Sequence, residues 1–125
     1  MLGGKNVMAT IAVKDVDAAA RFYEGTLGLE RVGTGSSEAI VYTSGHSWLL
    51  VYRSRYAGTN RATAATWVLG EDLEDAVRAL RAKGVAFEHY DLPDTTRKGD
   101  VHVAGRVRIA WLKVPDGNII ALSSE

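Results

Sequence analysis

Three histidines, His46, His89 and His102, are the side chains of this sequence best suited to proton transfer or metal binding. His102 follows Asp100 by two residues, close enough for an acid–base pair, and Asp91 and Asp94 share the same stretch. The histidine separations fit no metal-ligand spacing. The lack of cysteine removes thiolate metal sites, thiol nucleophiles and disulfides together. Neither a glycine-rich phosphate loop nor a Ser-His-Asp order stands out. Tyr42, Tyr52, Trp67 and Trp111 lie in strand-like runs, where aromatic rings can wall a site for a planar apolar molecule.

The elements that would position these residues come as a repeat. Asp15-Val-Asp-Ala-Ala-Ala-Arg21-Phe-Tyr, ending in Leu27-Gly28-Leu29, returns as Asp72-Leu-Glu-Asp-Ala-Val-Arg78-Ala-Leu, ending in Lys83-Gly84-Val85. Each copy follows a short apolar run, Val7 to Val13 or Ala64 to Leu69, that reads as a strand. Asp15 and Asp72 are placed as helix N-caps, and Gly28 and Gly84 as stop signals. Later strand-like runs are Glu38 to Thr43 and Trp48 to Arg53, then Val85 to His89, Val107 to Val114 and Asn118 to Ser123. Ser44-Gly45-His46 and Pro115-Asp116-Gly117-Asn118 read as turns. The stretch from Tyr90 to Gly105 is long for a connection, with a short strand at Val101-His102-Val103, and is expected to be functional or mobile.

The 125 residues make one domain, 1–125, of two modules, 1–57 and 58–125. A formal net charge of zero argues against nucleic acid or an anionic membrane as partner. No apolar run approaches the length of a membrane span, and the amino terminus has no apolar signal core, so a soluble cytoplasmic protein is expected.

Val13-Lys-Asp15-Val-Asp17, Phe22-Tyr23-Glu24, Leu27-Gly28-Leu29 and the closing Val114-Pro-Asp-Gly-Asn118 resemble the vicinal oxygen chelate superfamily. That group includes glyoxalase I, fosfomycin-modifying enzymes, extradiol dioxygenases and bleomycin-resistance proteins. The resemblance implies an α+β fold: two βαβββ modules forming a curved, cup-shaped mixed sheet with the helices outside. It also implies a divalent metal held by His and Glu inside the cup. The matching positions here are Met8, Leu49, Ala65 and Ala121, none of which offers a donor suited to zinc, iron(II), magnesium or manganese. The neighbours Val7, Ala9, Ala64, Thr66, Ile120 and Leu122 offer none either. No metal and no other cofactor is therefore expected.

Period-two alternation from those four positions puts Thr10 beside Met8, Val51 and Arg53 beside Leu49, Trp67 and Leu69 beside Ala65, and Ile119 and Ser123 beside Ala121. With a two-residue turn Tyr42 pairs with Leu49 and faces inward; with three it faces out. The expected ligand-binding set is Met8, Thr10, Tyr42, Leu49, Tyr52, Ala65, Trp67, His102, Trp111 and Ala121. The leading reading resembles the metal-free, bleomycin-resistance branch: a small-molecule binder for an aromatic or apolar metabolite or antibiotic. A homodimer is expected from exposed sheet edges, with the cup built within one chain or across two. The alternative is a glyoxalase- or dioxygenase-like enzyme with a relocated metal, or with metal-free acid–base chemistry through His102 or the loop acids. A third reading is a subunit whose cup is filled by its own side chains.

Overall fold

The computed structural model describes residues 1–125 as two units, Met1–Ala57 and Gly58–Glu125. The fold is mixed α+β, with parallel and antiparallel strand pairs in each sheet.

In the first unit β1 (Ala9–Val13) leads through Asp15 into α1 (Val16–Ala20). The Asp15 carboxylate accepts the backbone N–H groups of Asp17 (2.8 Å) and Ala18 (3.2 Å), donors that the helix start leaves without intrahelical partners. The helix does not run as a single α segment to Leu27. At Arg21 it widens into a π-helical turn, Arg21–Thr26. Three strands follow, β2 (Glu30–Arg31), β3 (Ala39–Ser44) and β4 (Ser47–Arg53), in the sheet order β1-β4-β3-β2. Ser44 pairs with Ser47, so Gly45-His46 is a two-residue hairpin turn.

In the second unit β5 (Thr63–Val68) is followed by a 3-10 turn, Gly70–Asp72, and by α2 (Leu73–Ala82). Asp72 lies inside that turn, at φ −82° and ψ −1°, and makes no side-chain cap. The N-cap expected there is therefore corrected, because the helix is entered through a tight turn rather than from extended backbone. Gly84, at φ +88°, closes the helix by donating to Arg81 O at 3.0 Å. The remaining strands are β6 (Phe87–Glu88), β7 (Thr96–Lys98), β8 (Val101–Ala104), β9 (Val107–Lys113) and β10 (Ile119–Ser123). Their order is β5-β10-β9-β8-β7, with β6 also on β9. The β7–β8 hairpin occupies most of the long stretch after Tyr90.

The repeat shows in the pairing. In each unit the first strand lies parallel to the last, β1 on β4 and β5 on β10. In each sheet one face is covered by the unit's own helix. In the first unit Tyr23 of the π-helical turn stacks near Tyr42 (centroids 6.1 Å apart), and Ile11, Val13, Ile40, Tyr42, Leu49 and Val51 on that face are buried. In the second unit Arg108 of β9 reaches Glu74 of α2 at 2.6 Å, and Ala110, Leu112 and Ile120 lie on Arg108's face, fully buried. The faces turned away from the helices are called open below.

Candidate ligand-binding faces

The sequence of β4, Ser-Trp-Leu-Leu-Val-Tyr-Arg, is apolar at successive positions, so alternation alone does not say which half faces the helix. The pairing decides it. Tyr42 lies opposite Leu49, as a two-residue turn requires, but Val51 lies opposite Ile40 and beside Ile11, in the layer under α1. Leu49 and Tyr42 are thus packed against the helix, together with Val51, and this corrects their expected place on the ligand side. A one-residue slip in register inverts every side chain. The open face carries Trp48, Leu50 and Tyr52 on β4, Thr10 and Ala12 on β1, and Val41 on β3. Trp48 is 54% exposed and Tyr52 38%. Met8 precedes β1, half-buried, and its carbonyl accepts from Thr10 Oγ1 at 3.4 Å.

Tyr42 has a different task. Its buried hydroxyl donates to Glu24 Oε2 at 2.9 Å, and Arg31 Nε donates to the same oxygen at 2.8 Å. Burial first, then the hydrogen bond to Glu24, raises the phenol's pKa well above its ordinary value. The cluster ties the π-helical turn to the sheet.

In the second unit a β-bulge breaks the expected alternation. Ile119 pairs with Thr63 but Ile120 pairs with Ala65, which leaves Ala64 as the extra residue. Ala65 and Trp67 therefore share the helix-side face of Ile120 and Leu122, whereas Ala121 looks the other way, with Thr66 and Trp111. This corrects the expectation that Ala65, Trp67 and Ala121 line one surface. Trp111, His102 and Ala121 do share the open face, through the pairings of β8 with β9 and β9 with β10.

Tyr90, which the sequence reading did not single out, completes this face. Its backbone N–H donates to His102 Nε2 at 3.0 Å. Its ring stands edge-on to Trp111 (centroids 5.3 Å apart), and His102 stands edge-on to Trp111 at 4.9 Å. Trp111 Nε1 donates to Thr63 Oγ1 at 3.2 Å, which fixes the indole plane. The missed signal was positional. Tyr90 stands one residue after the Val85–His89 run, where the strand period no longer says which way a side chain points.

The expected Asp100–His102 pair is not formed. Asp100 sits in the β7–β8 turn, and its Oδ1 lies 2.7 Å from His89 Nε2. Its Oδ2 accepts from Arg81 Nε at 3.0 Å and also from Arg81 Nη2. The bond to His89, followed by Arg81, holds the Asp100 carboxyl below the usual carboxylate range. Asp91 and Asp94 do not join it. The group links the end of α2 to the β7–β8 turn, which is the work of a structural clamp.

Correcting the register replaces Leu49 by Leu50 and Ala65 by Thr66 on the open faces, and neither brings an imidazole or a carboxylate. No three His, Asp or Glu side chains come close enough to hold an ion. In the first unit a polar groove of about 350 Å³ is lined by Lys14, Glu38, Arg53, Ser54 and Arg55. It carries both signs of charge, with Arg53 and Glu38 paired at 3.3 Å.

Residues 6–122 match the family described as the Glyoxalase/Bleomycin resistance protein/Dioxygenase superfamily. The chain belongs to that superfamily. Solved structures agree on the fold. The lactoylglutathione lyase of Agrobacterium tumefaciens is 16% identical over 97% of this chain and 94% of its own, with a TM-score of 0.72. The fosfomycin resistance protein FosX of Mesorhizobium loti is 15% identical over 100% and 94%, with a TM-score of 0.70. FosX of Listeria monocytogenes, solved with Mn(II) and sulfate, is 16% identical over 98% and 90%, with a TM-score of 0.69. At such identities these likenesses show the fold alone. Among curated proteins none matches. The residues at the family's metal positions do not fit a metal in this chain.

Proposed function

We propose that this chain is a metal-independent small-molecule binding protein that takes an aromatic or apolar metabolite or antibiotic on its open sheet faces. The observation that carries the reading is the makeup of those faces. Trp48, Leu50, Tyr52 and Val41 lie on the open face of one unit, and Trp111, Tyr90 and Ala121 on that of the other, while none of the positions that match the family's metal ligands carries an imidazole or a carboxylate. Exposed rings recognise flat apolar ligands by stacking and by burying area. The likeness to fosfomycin resistance proteins supports an antibiotic as one candidate ligand. β1 and β5 each pair with a single neighbour strand, and the free edges support a homodimer.

Elemental analysis of purified protein, joined to calorimetry against a panel of planar apolar compounds, tests the reading. Binding of at least one class without stoichiometric metal is expected. Stoichiometric zinc, nickel, iron or manganese would move the chain to the enzyme class.

A further inference from the structure

His102 is 2% exposed, and its Nε2 accepts the Tyr90 backbone N–H. A neutral imidazole with one nitrogen accepting must carry its proton on the other, so Nδ1 is a donor. That Nδ1 has no hydrogen-bond partner, and neither does the Tyr90 hydroxyl, although both atoms are buried. Buried polar atoms are nearly always paired, so two orphans in one three-ring cluster call for a reason. Burial also raises the Tyr90 phenol's pKa, in keeping with a hydroxyl that lacks a polar partner.

Resting on the binding reading above, we infer that the Tyr90 side chain is a removable plug that occupies the place of a ligand's aromatic ring beside Trp111, and that His102 Nδ1–H is the donor that anchors that ligand's acceptor. The ligand class is a planar aromatic ring bearing a carbonyl or similar neutral acceptor. Such a ligand keeps the ring contact with Trp111 and gives His102 the bond the plug withholds. The plug moves by side-chain rotation alone. The Tyr90 backbone bond to Nε2 stays in place throughout and keeps the proton on Nδ1.

The test uses acetophenone and ethylbenzene, which differ by a carbonyl in place of a methylene, titrated into the full chain and followed by the indole and imidazole signals in ¹H–¹⁵N spectra. Removing the plug with Tyr90→Ala is expected to tighten acetophenone binding relative to the unaltered protein. In that variant acetophenone should bind up to about tenfold tighter than ethylbenzene, the upper range for one neutral hydrogen bond. Adding His102→Phe should erase the preference while leaving ethylbenzene bound. If Tyr90→Ala does not fold, Tyr90→Val serves the same purpose. Equal affinity for the two probes, or no gain on removing the plug, would overturn the assignment and leave ligand binding standing. Should neither probe nor any member of the apolar panel bind, the binding reading itself falls and this inference falls with it.

Discussion

At the scale of single residues, the two sides of β4 separate stability from binding. Leu49 is buried under α1, and Leu49→Ala is expected to cost about 2–5 kcal/mol, with ligand affinity per folded molecule unchanged. Trp48 is half exposed on the open face. Trp48→Ala should change stability by about 0.5 kcal/mol or less and weaken an aromatic ligand roughly tenfold. Urea denaturation and a ligand titration on both variants check the pair; a reversed pattern would mean that the faces have been exchanged. Asp100 gives a pH signature. Its native pKa is depressed by His89 and Arg81, so the unfolded chain takes up the proton first as the solution is acidified. The stability it contributes is complete above the unfolded carboxylate value, about 3.9, and is lost as pH falls through the lower native value. In urea midpoints measured across that range, Asp100→Asn should flatten this part of the acid limb; an unchanged limb would contradict the assignment.

At the scale of elements, turns and bulges set what each strand presents. Gly58 shows how tightly one of them is built. Its φ is +73°, and a Cβ placed there would lie 1.9 Å from the Asp116 carbonyl oxygen. Gly58→Ala therefore forces backbone to move as well as adopting a disfavoured conformation, and a loss of at least about 1–3 kcal/mol in thermal unfolding is expected. A variant as stable as the parent would show that the turn before β5 yields easily. The same features explain what could be read from sequence. The repeat, Asp15 as a cap, a turn at Ser44-Gly45-His46 and the Pro115–Asn118 turn rest on local chemistry and were legible, whereas the two-residue length of the first turn was not. The facing of β4 was not, because Trp48 to Tyr52 is apolar on both sides and only pairing with β1 breaks the tie. The bulge at Ala64 had no signal, since nothing in Ala-Thr-Ala-Ala-Thr marks an extra residue. The Asp100–His102 pairing failed for a related reason. Two residues of separation means one face only within a continuous strand, and Asp100 lies in the turn before β8.

At the scale of the whole molecule, one superfamily fold serves both metal chemistry and, in this chain, open faces lined with rings. The fold requires the centres of the helix-side layers to be apolar, and Ile11, Leu49 and Val51 in one unit and Ala110, Leu112 and Ile120 in the other meet that requirement. It places no such demand on the open faces, which here carry Thr10, Leu50, Thr66 and Ala121. Fluorescence titration of the tryptophans with the planar apolar panel, repeated after exhaustive chelation, bears on this most directly. Saturable binding with the same dissociation constant before and after chelation is the expected result. Binding that chelation abolishes and that manganese or zinc restores would contradict metal-independent recognition.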